Sequence, residues 1–93
     1  CKVIHVMTPC PTGWGYDPAI TVKTAKLAVE CGLWYLAEFE NNEFKFNFVP
    51  KKFKPVEEYL KLQRRFRHLD ENDYREIEAN RDIEWNRMRK RFA

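Results

Sequence analysis

The sequence predicts an α/β fold, and three features carry that expectation. Val3-Ile4-His5-Val6-Met7 is an almost uninterrupted apolar, β-branched run, the composition of a strand covered on both faces. Asp17-Pro18 opens a segment with Ile20, Ala25, Leu27, Ala28 and Cys31 at helical spacing, and Gly32 follows as a stop. Phe44-Lys45-Phe46-Asn47-Phe48 alternates ring and polar residue, as a half-buried strand does.

Taken in order, Lys2 to Met7 is the first expected strand. It ends in Thr8 to Pro18, where two Gly and three Pro within eleven residues predict a loop. Asp17 is a natural N-cap, and Pro18 suits the first helical position, whose N–H needs no partner. The helix runs from Ala19 to Cys31, and Leu33 to Phe39 reads as a second strand. Strand, loop, helix, strand is the pattern of a parallel βαβ unit. Glu40-Asn41-Asn42-Glu43 then turns the chain into the Phe44–Phe48 strand, so the expected sheet is short and mixed, with one antiparallel edge.

The character changes after Pro50. Residues 1–50 hold four basic and five acidic side chains, and residues 51–93 hold thirteen and nine. The expected organisation is an α/β sheet-completing segment, 1–50, and a basic helical extension, 51–93, forming one structural unit. Pro55 precedes a short helix from Val56 to about Phe66, with Val56, Tyr59, Leu60 and Leu62 as its apolar side. Asp70 caps a longer helix in which Tyr74, Ile77, Trp85, Met88 and Phe92 share a stripe that Arg81 interrupts. Arg87, Arg89, Lys90 and Arg91 suit the negative end of its dipole.

Composition excludes several function classes. A net charge of +3 is too mild for a dedicated nucleic-acid binder. The longest uninterrupted apolar run, Leu33 to Ala37, has five residues and cannot span a bilayer. A cytoplasmic setting, with neither nucleic acid nor membrane as partner, is the expectation. The three cysteines, Cys1, Cys10 and Cys31, form no CxxC pair, which argues against a disulfide framework and against a complete metal site within the chain. The first residue is Cys1, and it leads directly into a strand-like run, so a longer parent polypeptide is expected.

Cys10 is the residue whose setting invites chemistry. It follows a strand, where open α/β sheets build their sites, and Pro9 and Pro11 fix its backbone. N–H groups of Thr12 and Gly13 are placed to donate to its sulfur. From the residues alone Cys10 is a nucleophile, a metal or cluster ligand, or a packed small side chain. Nucleophilic catalysis has little support, because neither His5, in the first strand, nor His68 has the context of a base. Cys31 reads as core. The basic stretches Lys51-Lys52-Phe53-Lys54 and Arg64-Arg65-Phe66-Arg67 sit near acidic residues and read as solvated faces or as docking surfaces for an acidic partner. One functional reading is therefore a small stand-alone α/β interaction module that docks such a partner, with Cys10 structural.

Three blocks support another reading. His5-Val6-Met7-Thr8-Pro9-Cys10-Pro11-Thr12-Gly13-Trp14, Leu27-Ala28-Val29-Glu30-Cys31-Gly32-Leu33-Trp34, and Lys54-Pro55-Val56-Glu57-Glu58-Tyr59-Leu60-Lys61-Leu62-Gln63 resemble the C-terminal part of the beta subunit of 2-oxoacid:ferredoxin oxidoreductases. Pyruvate:ferredoxin oxidoreductase (pyruvate synthase) is the nearest in character. The resemblance covers about two thirds of the chain and fades after Leu69.

It implies the C-terminal portion of a thiamine-diphosphate-binding α/β fold. It also implies a complete subunit that holds thiamine diphosphate, Mg2+ and a [4Fe–4S] cluster. The activity implied is oxidative decarboxylation of a 2-oxoacid to an acyl-CoA, with other subunits, coenzyme A and ferredoxin as partners. The matching cysteine is similar to the fourth ligand of the cluster, which places Cys10 as cofactor-binding and metal-ligating. The other three ligands and the GDG…N motif for magnesium and diphosphate lie upstream in the family. No role carries over to Cys1 or Cys31, no residue is assigned to catalysis, and the isolated chain is expected to be inactive. Trp14 and Tyr16 are expected to pack around the loop and exclude water.

Overall fold

The computed structural model describes residues 2–92; Cys1, Ala93 and the side chain of Phe92 lie outside the described residues. A one-turn helix α1 (Pro11–Trp14) leads through a 3-10 turn (Pro18–Ile20) into α2 (Thr21–Glu30). Strands β1 (Leu36–Glu40) and β2 (Glu43–Phe48) follow, then α3 (Val56–Leu60), a 3-10 turn (Arg64–Phe66) and the long α4 (Glu71–Phe92). The α/β class expected from the sequence is what the chain adopts, but its sheet is differently made.

β1 and β2 form an antiparallel hairpin, and among the described residues the sheet has no further strand. The expected mixed sheet and βαβ crossover are therefore corrected. Lys2 to Met7 belongs to no strand, and Val3 and Ile4 are each 86% exposed. A run this apolar becomes a strand only when another strand offers it a ladder, and none of the described residues does. The hairpin turns at Asn41 and Asn42, whose φ angles of 52° and 63° give the doubly left-handed turn that matches strand twist. Phe44 and Phe46 turn inward beside Tyr35, whereas Phe48 stays half exposed at the open end.

The helical segment opens where the sequence predicts, but as the 3-10 turn: the Asp17 carboxylate accepts from the Ala19 N–H at 2.9 Å, and Pro18 occupies the turn's first position. α2 follows from Thr21 with no side-chain cap and ends at Glu30. Gly32, two residues on, turns the chain at a φ of +81°, in the left-handed region. Trp34 N–H then donates back to Ala28 O at 3.0 Å, and this turn delays the second strand from Leu33 to Leu36.

The core is helical. Leu27, Ala28 and Cys31 of the α2 end pack against Val56, Tyr59 and Leu60 of α3 and Tyr74 of α4. Burying an aliphatic side chain of this size stabilises by about 1.5–3 kcal/mol, so these few contacts carry the fold. α3 is shorter than expected: it ends at Leu60, and Gln63 starts the 3-10 turn in extended conformation. Its first N–H, on Val56, is met by the Glu78 carboxylate of α4 at 3.4 Å.

α4 is capped reciprocally. Asp73 N–H donates to the Asp70 carboxylate and Asp70 N–H to the Asp73 carboxylate, both at 3.0 Å. Arg81, which interrupts the apolar stripe, donates to Cys31 O at 3.1 Å, and Trp85 Nε1–H donates to Gly32 O at 2.8 Å. Two side chains of α4 thus satisfy the carbonyls of the two residues that follow α2, while backbone N–H groups meet those of its last turn. No helix among the described residues is long and apolar enough to cross a membrane.

Candidate functional site: the Cys10 turn

Pro11 fixes the first helical position of α1, and Cys10 immediately before it is the N-cap, with φ −120° and ψ 108°. The predicted loop therefore contains one helical turn. A cap of this kind puts its side chain under the N–H groups of the turn, and Gly13 N–H donates to Cys10 Sγ at 3.3 Å. Trp14 N–H closes the turn on Cys10 O at 2.9 Å. The sulfur is exposed, and its direction is set by one hydrogen bond and two flanking prolines. A Cβ on Gly13 would stand 3.4 Å from Sγ, an ordinary contact that the turn can accept.

Gly15 ends α1 in the left-handed region at φ +77°. Its carbonyl accepts from Arg64 N–H at 2.9 Å, which bolts the turn to the Arg64–Phe66 segment. The Arg65 guanidinium lies 4.1 Å above the Trp14 ring, and its Nε donates to Gln63 Oε1 at 2.8 Å. Gln63 is fully buried, and its amide donates in turn to Tyr59 O at 3.0 Å. Thr12 to Gly15 and Arg64, Arg65, Arg67 and His68 together line an open pocket of about 620 Å³ with a strongly basic wall.

Trp14 is half-buried under Arg65, and Tyr16 is buried with its ring 6.3 Å from that of Trp14. The Tyr16 hydroxyl has no hydrogen-bond partner among the described residues. His5 is exposed and meets Trp34 edge-on at 4.9 Å. Cys31 is fully buried, its Sγ donating weakly to Ala28 O at 3.6 Å, which fits the core role read from the sequence.

The two described thiols differ in chemistry. Burial pushes the Cys31 thiol above its ordinary value of 9.0, against smaller opposing effects of the Leu33 N–H and Arg81. At pH 8 iodoacetamide is expected to label exposed Cys10 and spare buried Cys31, as peptide mapping would detect; comparable labelling of both would contradict this structure. The same shift makes alkali destabilising. Below pH 9.0 both folded and unfolded chains hold the Cys31 proton, and above it the unfolded chain releases it first, so stability falls as pH rises.

The sequence singled out Cys10, Trp14 and Tyr16, and the structure gathers them around one turn. It missed Gln63, Arg64 and Arg65 as parts of the same assembly. Their basic run reads equally well as a solvated face, and no spacing in the sequence links it to a turn some fifty residues earlier.

Among the described residues no group of three or more His, Cys, Asp and Glu side chains could hold a metal ion. Cys10 offers one exposed thiol, fixed in direction by the Gly13 N–H. The turn fits one ligand position of an iron–sulfur centre and does not fit a whole one.

No protein-family model matches the chain. It is 51% identical over 77 residues to the pyruvate synthase subunit PorB of Methanocaldococcus jannaschii, a match covering 83% of this chain and 26% of that protein. The PorB subunit of Methanosarcina barkeri is 47% identical over 88 residues, covering 89% of this chain and 29% of that protein. The ketoisovalerate oxidoreductase subunit VorB of Pyrococcus abyssi is 40% identical over 89 residues, covering 94% and 29%. The chain thus spans little more than a quarter of the length of these curated relatives.

Proposed function

The chain belongs to the beta-subunit family of the 2-oxoacid:ferredoxin oxidoreductases, and on that premise we propose that it is the C-terminal part of the thiamine-diphosphate-binding beta subunit of a pyruvate-using member. The complete enzyme converts pyruvate and coenzyme A to acetyl-CoA, carbon dioxide, a proton and an electron pair, which leaves through [4Fe–4S] clusters to ferredoxin. Thiamine diphosphate and Mg2+ are held by other parts of the subunit. Identity to PorB subunits of 51% and 52%, against 40% for a VorB subunit, supports pyruvate as the substrate.

The observation that carries this reading is the aimed, exposed Cys10 thiol at the head of a Pro-braced turn. In the assembled subunit Cys10 is one ligand of a cluster whose remaining ligands come from elsewhere in the protein. That centre supplies one-electron transfer. The chain's own residues hold the sulfur: Pro9 and Pro11 fix the backbone, and Gly13 N–H donates to Sγ. With a cluster bound, this donor would stabilise its more negative, reduced state. Trp14 packs against the helical core and Tyr16 is buried beside it, which holds the base of the turn. The exposed Val3, Ile4 and Val6 dock on another part of the subunit, which gives them a partner.

The decisive experiment is Cys10→Ala in the assembled oxidoreductase, read by iron analysis and low-temperature EPR of the reduced protein. Loss of one cluster's iron and of its signal is expected, with thiamine diphosphate binding retained. Unchanged iron content would overturn the assignment and favour the reading of Cys10 as a structural thiol.

A further inference from the structure

We propose that Arg65 is a positioning residue for the Cys10 turn, acting through Trp14 and fixed in place by Gln63. Its consequence for a cluster rests on the reading of Cys10 as a ligand; its mechanical role does not.

α1 is too short to hold itself, because one turn makes too few internal hydrogen bonds to offset the cost of nucleation. Something outside must fix it: Trp14 packs against the helical core, and two contacts from the Arg64–Phe66 segment close the other side. Arg64 N–H binds Gly15 O at 2.9 Å, which anchors the end of the turn. The Arg65 guanidinium covers the Trp14 ring at 4.1 Å and also lies 4.5 Å from Phe66, so it closes the turn from outside. Arginine side chains on surfaces usually sample many rotamers, but Nε of Arg65 is tied at 2.8 Å to Gln63 Oε1. Gln63 cannot swing away, since it is buried and its amide is committed to Tyr59 O. A continuous line of contacts thus runs from the α3 backbone through Gln63, Arg65 and Trp14 to the turn that Cys10 caps.

A point charge alone would not do this work. The flat guanidinium stacks on the indole while its Nε keeps a separate bond, and lysine offers neither. Charge and position can therefore be separated by substitution.

The test uses Arg65→Ala and Arg65→Lys in the assembled oxidoreductase, with two readouts. The first is hydrogen exchange at the amides of Gly13 to Tyr16. Arg65→Ala is expected to speed exchange there about tenfold or more, and Arg65→Lys to restore only a minor part, while the α2 and α4 amides keep their wild-type rates. The second is the EPR line shape and reduction midpoint of the signal that Cys10→Ala abolishes. Both are expected to change in Arg65→Lys, although the charge is kept. Wild-type exchange in Arg65→Ala overturns the proposal, and so does wild-type behaviour of Arg65→Lys in both readouts, since charge would then suffice. If Cys10→Ala leaves iron and EPR intact, the ligand reading fails, and the exchange data alone decide whether Arg65 holds the turn.

Discussion

Trp85→Ala is expected to cost about 3–5 kcal/mol of stability, the range for truncating a large buried aromatic. Trp85 is 2% exposed and stands where three parts of the chain meet. Its ring stacks on Phe46 of the hairpin at 5.1 Å and 18°, and contacts Phe53 at 5.0 Å. Its Nε1–H binds Gly32 O, at the end of α2, at 2.8 Å. Removing the indole opens a cavity between hairpin and helix and also leaves a carbonyl without its donor. Trp85→Phe separates the two effects: most ring contact survives, and the lost hydrogen bond costs about 1–3 kcal/mol. Denaturant unfolding of both variants checks the ordering. A loss below about 1 kcal/mol for Trp85→Ala would mean that α4 does not hold the hairpin and α2 together.

That joint also shows what the sequence could and could not reveal. The helical stripe of Tyr74, Ile77, Trp85 and Met88 is legible because a buried face must recur every three or four residues. Arg81 looked like an interruption of the stripe. In fact it belongs on the inner face, where the open carbonyl of Cys31 needs a donor, and hydrophobic periodicity has no symbol for a buried hydrogen bond. Asp17-Pro18 and Gly32 bracket the helical segment because capping is local chemistry, although Asp17 caps a 3-10 turn and α2 itself starts only at Thr21. Lys2 to Met7 misled for the opposite reason. Strand formation is a property of a pair, and a composition that suits the buried face of a sheet says nothing of whether the partner lies within these residues. Cys10 was legible through its prolines, which act within one or two residues. The Gln63–Arg65–Trp14 connection was not, because it joins segments far apart in sequence through a stacking contact any arginine could make.

Gly15→Ala is expected to destabilise by about 2–4 kcal/mol and to release the Cys10 turn, combining a backbone penalty with a steric one. At φ +77° an alanine is strained wherever it sits. Here its Cβ would also come within 2.8 Å of Arg64 Cβ and 3.3 Å of Arg64 N. Those atoms belong to the start of a 3-10 turn and cannot swing aside as a side-chain tip can. Relief requires Gly15 and Arg64 to separate, which breaks the 2.9 Å hydrogen bond between them. Gly13→Ala is the matched control: its Cβ would meet Cys10 Sγ at 3.4 Å, near ordinary contact, and its backbone is not left-handed. The two glycines lie two residues apart in the same turn, so a difference between them isolates the anchor to Arg64 from general damage to α1. Thermal unfolding provides the comparison, together with iron retention in the assembled protein as the readout of the proposed ligation by Cys10. Gly15→Ala should lose both, and Gly13→Ala should keep its stability. Equal behaviour of the two variants would show that the turn bearing Cys10 holds its shape without the segment behind it, and that the sulfur is aimed by its prolines alone.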